Sequence, residues 1–158
     1  MIERLQDLPS DALGALVAES EEAGLRFVRR LLDEWTRGAN RFDRPGEALF
    51  AARVGGRLVG VCGLNIDPYA ADPRVGRVRH LYVLSAFRRR GVGRHLVTAV
   101  IETARGRFDR LHLRTENAGA ARFYEALGFR PSGGTADYTH VMELASERAP
   151  GSRAMLWA

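Results

Sequence analysis

The sequence predicts a single α/β domain whose sheet is mixed and mostly antiparallel, with about six to seven strands and about four helices. Three observations carry this expectation. A chain of 158 residues suits one buried core and is too short for two. Two strand-like runs flank Gly55-Gly56, a pair that readily closes an antiparallel hairpin. The segment 78–115 reads as strand, helix, strand, and such a crossover implies two parallel neighbours inside an otherwise antiparallel sheet.

The elements follow in order. Residues 2–6 form a weak first strand, and Pro9-Ser10-Asp11 opens a helix whose apolar face is Leu13, Leu16 and Val17. A second helix is expected after Ser20-Glu21-Glu22, with Leu25, Val28, Leu32 and Trp35 at helical spacing and a left-handed cap at Gly38. The hairpin strands are Ala48 to Val54 and Arg57 to Ile66. Asp67 to Gly76, with Pro68, Pro73 and Gly76, reads as a loop, and Val78 to Leu84 as the next strand. From Gly91 to Arg105, Val92, Leu96, Val97, Val100, Ile101 and Ala104 make a broad stripe of period 3.6, hence a helix. Arg110 to Thr115 is a short strand. Asn117 caps a helix that buries Ala120, Phe123, Tyr124 and Leu127 and ends at Gly128. After Phe129 and a turn at the PSGG run, Tyr138 to Leu144 alternates as a final strand. Residues 1–144 are therefore the domain. Residues 145–158 are a tail of mixed polarity in which fraying is expected, Trp157 included.

Composition narrows the function classes. Apolar residues are 46% and charged residues 27%, the balance of a globular protein. No apolar run approaches the roughly 20 residues of a membrane helix, and MIERLQDLPSD lacks the apolar stretch of a secretion signal, so a cytoplasmic protein without a membrane partner is expected. Cys62 is the only cysteine, which excludes an internal disulfide and a thiolate zinc cluster; VGVCGL places it as a small buried hydrophobe. No metal is expected. The net charge of +5 is unevenly spread: residues 1–47 carry 7 arginines and 10 acids, and the remainder 17 arginines and 9 acids. There is no lysine. The positive portion predicts an anionic partner, either nucleic acid or a phosphorylated cofactor. Nucleic acid is the weaker of the two, because only Phe87 to Arg90 interleaves basic and aromatic residues.

The segment Arg88-Arg89-Arg90-Gly91-Val92-Gly93 lies between a strand and a helix. Its glycines let the backbone turn tightly and approach a ligand, and the free amides of a helix start face an anion, so a pyrophosphate fits there. No Gly-Lys-Ser/Thr follows, and Leu96 stands where a dinucleotide fingerprint has its third glycine. Together with HLYVLSAFRRRGVGRHL, the later ENAGAARFYEALGF and the preceding hairpin, the chain resembles the GNAT-type N-acetyltransferases over residues 2 to 144. Arg88, Gly91 and Gly93 match one family element. Asn117, Phe123, Tyr124, Glu125, Gly128 and Phe129 match a second.

The resemblance implies acetyl-CoA as acyl donor and a primary amine, of a small molecule, as acceptor. It implies that Leu81, Tyr82 and Val83 pair with the pantetheine arm and that Arg88, Arg89, Arg90, Gly91, Val92, Gly93 and Arg94 grip the pyrophosphate. An amide near Val83 would polarise the thioester carbonyl. Asn117 matches the residue that touches the cofactor arm and is equally a helix cap. Tyr124 matches the general acid that protonates the departing thiolate, and is also one more residue on a buried stripe. In the histone-modifying branch a strand glutamate activates the amine, whereas the aligned position here is Arg77. His80 and Glu116 are the candidate bases in its place, with His80 also readable as an ordinary strand residue; a water chain is the third route. Glu21, Glu22, Asp33, Glu34, Asp67 and Asp72 are acids that would attract a cationic amine or sit as solvated faces. Three alternatives stay open: a non-catalytic acyl-CoA-binding module, acetylation of a protein or peptide amine, and nucleic-acid binding. A homodimer is compatible with all of them.

Overall fold

The computed structural model describes residues 1–8, 10–133 and 136–144. Seven strands form one sheet in the order β1-β2-β3-β4-β5-β7-β6. β1 is Ile2–Arg4, β2 Ala48–Val54, β3 Arg57–Ile66, β4 Val75–Val83, β5 Arg110–Leu113, β6 Arg130–Pro131 and β7 His140–Glu143. Only β4 and β5 run parallel; every other neighbouring pair is antiparallel. The helices are α1 (Gly14–Glu22), α2 (Phe27–Arg37), α3 (Val92–Ala104) and α4 (Ala118–Ala126), with a 3-10 turn at Ser10–Leu13 leading into α1. No helix among the described residues is long and apolar enough to cross a membrane.

Helices cover both faces of the sheet, as each face's apolar side chains require. On one face α3 buries Leu96, Val97, Val100, Ile101 and Ala104, the predicted stripe. Gly60 of β3 leaves room for Leu96 there, since a Cβ at that position would lie 3.1 Å from it. On the other face α2 buries Val28, Leu31 and Trp35 at spacings of three and four. Gly63 of β3 lets the Phe42 ring lie flush on this face, and a Cβ there would stand 2.5 Å from the ring.

Several boundaries differ from the sequence expectation. Ser20-Glu21-Glu22 ends α1 instead of opening α2: the Ser20 hydroxyl donates back to the Val17 carbonyl at 2.9 Å, and Gly24 adopts a left-handed conformation that stops the helix. The register of α2 accordingly turns Leu31 inward, leaving Leu32 half-buried and Leu25 exposed. Gly38 is left-handed at the end of α2, as expected. β4 begins at Val75, before the expected start, because Val75 and Gly76 pair with Arg110 and Leu111; Gly76 is buried in the strand, where Leu111 and Phe108 leave no space for a side chain. β5 stops at Leu113, and β7 is shorter than Tyr138 to Leu144. The two-residue β6 was not legible, since Pro131 in so short an edge segment reads as a turn. In α4 only Tyr124 is buried, while Ala120, Phe123 and Leu127 are half-buried. Pro9, part of the PSGG turn and the tail from 145, Trp157 included, fall outside the described residues.

Gly63→Ala is expected to destabilise the fold by about 1–3 kcal/mol through overpacking against Phe42. Thermal or urea unfolding measures this, and adding Phe42→Leu to the variant should recover part of the loss.

Candidate functional site

The sheet opens at its centre. β4 pairs with β5 only at Val75↔Arg110, Gly76↔Leu111 and Arg77↔His112, although β4 continues to Val83. β5 pairs with β7 along its whole length, from Arg110 opposite Glu143 to Leu113 opposite His140, and beyond the last β4 rung it keeps only that partner, the Leu113 carbonyl accepting from the Thr139 N–H at 2.9 Å. Val78 to Val83 thus keep β3 on one side and have no strand on the other. A bulge marks this stretch: the β3–β4 register shifts between Gly63↔Arg79 and Val61↔Tyr82, and His80 takes a positive φ of 61°. An open strand edge needs hydrogen-bonding partners. It therefore suits an extended amide-bearing ligand.

At the end of β4 the chain passes through a short 3-10 turn, Ser85–Phe87, into the start of α3. Arg89 (φ 63°) and Gly91 (φ 83°) are both left-handed, and no side chain caps the helix. Its first amides have no intrahelical partners and carry the positive end of the helix dipole. Gly93 is half-buried in the first turn, where a Cβ would lie 3.4 Å from the Phe123 ring. The arginines divide their work. Arg90 lies over the Phe87 ring at 5.5 Å, with Arg57 on the same ring at 5.8 Å, whereas Arg89 and Arg94 are exposed and make no ion pair among the described residues. Arg88, half of whose side chain is exposed, folds back on the protein: its Nε donates to the Val83 carbonyl at 2.8 Å, its guanidinium lies over Tyr82 at 5.2 Å, and Glu19 of α1 is 3.9 Å away. The side chain expected to grip an anion is thus engaged within the protein.

Glu19 accepts from the Tyr82 hydroxyl at 2.7 Å, the Ser85 hydroxyl at 2.7 Å and the Ser85 N–H at 3.0 Å. These bonds, the one from Tyr82 foremost, hold its carboxyl below the usual carboxylate range. Burial, reinforced by the Glu19 bond, pushes the Tyr82 phenol up to about 12.

Tyr124 reaches the site from α4. It is buried, its ring packs edge-on to Phe123 and Phe129, and its hydroxyl makes no hydrogen bond among the described residues. Desolvation, with a smaller contribution from Cys62, raises its pKa far above the ordinary phenol value. Cys62 is itself fully buried, and desolvation pushes its thiol up to about 12. Asn117 stands at the start of α4 and accepts from the Ala120 N–H at 2.9 Å, the expected cap.

The two candidate bases occupy unlike surroundings. Glu116 is exposed, with its carboxylate 3.3 Å from Arg114. His80 is buried between Phe27 (ring centroids 6.4 Å) and Phe42 (6.2 Å), and neither ring nitrogen has a hydrogen-bond partner among the described residues. Burial first, then Arg79 and Arg30, lower its pKa to about 3. Such an imidazole is neutral and holds a proton weakly.

Sequence reasoning missed a second polar cluster at the rung where the strands part. Asp67, just past β3, accepts from the Arg77 guanidinium at 3.4 Å and lies 2.9 Å from the His112 Nδ1; all three side chains are more than nine-tenths buried. Asp67 is thus committed within the protein and is not a free acid for a cationic ligand. No spacing rule could have joined residues 67, 77 and 112, which only the β3–β4–β5 register brings together. On the same face of the sheet a cleft of about 350 Å³ is lined in part by Glu34, Asn40, Arg41, Asn65 and Arg79. Asn40 and Asn65 exchange amide hydrogen bonds at 2.9 and 3.0 Å at its wall. Among the described residues no group of three or more His, Cys, Asp or Glu side chains could hold a metal ion.

Comparison with known proteins follows the same outline. Residues 8–129 match the family profile described as acetyltransferase (GNAT) family. N-alpha-acetyltransferase RimI of Mycobacterium tuberculosis is 33% identical over 112 residues, which are 64% of this chain and 65% of that protein. Aminoglycoside N(6')-acetyltransferase type 1 of Klebsiella aerogenes is 42% identical over 72 residues, 44% of this chain and 47% of that one. The matches thus span between about half and two thirds of these curated relatives. A crystal structure from Exiguobacterium sp. 255-15 superposes with a TM-score of 0.82 at 31% identity, covering 95% of this chain and 97% of that one. A GCN5-related N-acetyltransferase from Kribbella flavida shares the fold at a TM-score of 0.69 and 24% identity, with 90% and 95% covered.

His80 provides a test of the local electrostatics. Its unfolded form protonates near 6.5 and its folded form only near 3. Unfolding therefore takes up a proton between these values, and stability falls as pH drops through this window. In His80→Asn, where asparagine tolerates the left-handed backbone, the stability loss between pH 6.5 and 3 should be shallower by up to one proton. Urea unfolding at several pH values measures it.

Proposed function

The chain belongs to the acetyltransferase (GNAT) family, and on that premise we propose that it transfers the acetyl group of acetyl-CoA directly to a primary amine of a small molecule. The observation that carries this reading is the open β4 edge, Val78 to Val83, ending at an uncapped helix start beside unpaired arginines. An amide-bearing arm ending in a diphosphate matches both halves of that surface. The backbone of Leu81, Tyr82 and Val83 would pair with the arm. The amides of Gly91, Val92, Gly93 and Arg94 would receive the diphosphate, with Arg89, Arg90 and Arg94 adding charge-assisted bonds. Arg88 would act through its backbone and as the brace on Val83.

Acetyl transfer needs an amine free of its proton, a polarised thioester carbonyl and a proton for the leaving thiolate. An N–H near Val83 would serve the carbonyl, since a preorganised amide stabilises oxyanion charge. Burial keeps the Tyr124 hydroxyl protonated at working pH, so it enters the reaction as a donor to the thiolate. Its raised pKa makes complete transfer to a thiolate of pKa near 8.5 uphill, which limits its contribution. His80, with a value of about 3, is too weak a base for an ammonium ion, and Glu116 faces solvent beside Arg114.

A primary amine is the feature shared by relatives named for N-alpha acetylation and for an aminoglycoside N(6') position. The cleft of about 350 Å³ beside Arg79 lies in the range of small-ligand sites and supports a small-molecule acceptor. Incubating the protein with acetyl-CoA and a panel of amines, reading free thiol and product mass, tests the reading. An intact thioester with every amine would instead identify a non-catalytic acyl-CoA binder.

Three variants probe the parts. Gly91→Val, strained at φ 83°, and Gly93→Val, crowded against Phe123, should each weaken acetyl-CoA binding at least tenfold, about 1.4 kcal/mol, by calorimetric titration. Tyr124→Phe should retain cofactor affinity while turnover falls about ten- to a hundredfold; turnover within twofold of the parent would remove the hydroxyl from the chemistry.

A further inference from the structure

We propose that His112 accepts the acceptor amine's proton through Nε2, with Asp67 as the positioning residue that fixes the imidazole tautomer. This rests on the acetyl-transfer reading above and supplies the base that reading lacks. An ionised carboxylate only accepts hydrogen bonds, so the 2.9 Å contact of Asp67 Oδ2 with Nδ1 places the ring hydrogen on Nδ1 and leaves a lone pair on Nε2. The other carboxylate oxygen accepts from Arg77 at 3.4 Å and from the Tyr69 N–H at 3.0 Å, which keeps Asp67 from rotating away. Nε2 is buried and has no hydrogen-bond partner among the described residues. Buried polar atoms are normally paired, so a proton brought by the acceptor amine would complete this one.

Position agrees with this chemistry. His112 pairs with Arg77 on the last rung before β4 and β5 separate, the closed end of the opening that the donor arm would enter. β4 itself brings only the cations Arg77 and Arg79 and the weakly basic His80 to that end. The neighbouring strand supplies the base instead. The half-buried Tyr138 ring lies against the imidazole, centroids 3.7 Å apart and planes within 16°, and Arg77 anchors the same connection by donating to the Asp137 carbonyl at 2.7 Å. For an amine to reach the buried Nε2, the packing around the imidazole, Tyr138 included, must open.

The step balances. An ammonium ion gives one proton to Nε2, forming an imidazolium opposite Asp67, and the freed nitrogen lone pair bonds to the thioester carbonyl carbon. The carbon–sulfur bond breaks, the sulfur takes the Tyr124 proton, and the added nitrogen returns its second proton to the Tyr124 oxygen. His112 then releases its proton to water.

Nitrogen-15 NMR of the intact protein, labelled at histidine and compared with His112→Gln for assignment, should show the His112 hydrogen on Nδ1; hydrogen on Nε2 in the parent overturns the proposal. With an amine the parent acetylates, His112→Gln should lower turnover at least a hundredfold while acetyl-CoA affinity stays within twofold, and added imidazole should partly restore His112→Ala. Asp67→Asn should lower turnover and move the hydrogen to Nε2. Turnover of His112→Gln within threefold of the parent refutes the inference alone. A parent that binds acetyl-CoA yet acetylates no amine refutes the reading beneath it as well. Should the His112 variants fail to bind acetyl-CoA, the tautomer in the parent and the response to Asp67→Asn decide the matter.

Discussion

The parting of two parallel strands is the constraint on which the rest depends. β4 is held by β3 along its length, and after the Arg77↔His112 rung β5 keeps only β7 as a partner, so the edge between β4 and β5 stays open. Main-chain groups left there need partners, and their direction along Val78 to Val83 sets how a ligand lies. The start of α3 stands at one end of this edge and the Asp67–His112 pair at the other. Tyr124 comes from α4 on the α3 side of the sheet, whereas the polar cleft and His112 belong with α2 and Tyr138 on the other.

Both margins of the opening are tied down by polar knots. On the β4 side one carboxylate, Glu19, gathers Tyr82, Ser85 and Arg88, sewing α1 to the turn before α3. On the β5 side Glu125 of α4 meets His140 Nε2 at 2.8 Å, His140 Nδ1 meets the Thr139 hydroxyl at 2.9 Å, and that hydroxyl accepts from the Thr115 N–H at 3.0 Å. This chain fixes the helix bearing Tyr124 to the strand that β5 keeps as its partner. A loss at either knot would let the margins drift.

Much of this was legible from the sequence, and the exceptions have physical reasons. The hairpin at Gly55-Gly56, the stripe of α3 and the Asn117 cap are local signals, and each stands where the sequence placed it. The start of β4 was missed because Gly76 reads as a breaker until the packing of Leu111 and Phe108 shows why no side chain belongs there. Ser20 looked like a helix cap because its hydroxyl satisfies a carbonyl within the preceding turn as readily as an amide of a following one. His80 reads in the sequence as a strand histidine near neutrality; its basicity is depressed first by burial, in a setting that Phe27 and Phe42 bring from distant positions, and then by Arg79 and Arg30, of which only Arg79 is adjacent in sequence. The Asp67–His112 pair depends on sheet register alone, which a single sequence does not encode in any local pattern.

The burial of Cys62 has a practical consequence. With no exposed face and a thiol pushed up to about 12, the chain's one sulfhydryl remains unreactive toward disulfide reagents at neutral pH. Colorimetric readings on the native protein should then carry little background from the polypeptide, so that chromophore formed during turnover would report released coenzyme thiol. The same silence makes the molecule a convenient blank for site-specific labelling: a cysteine installed on an exposed position with ordinary backbone, such as Val54, would be the sole handle for a fluorophore or spin probe.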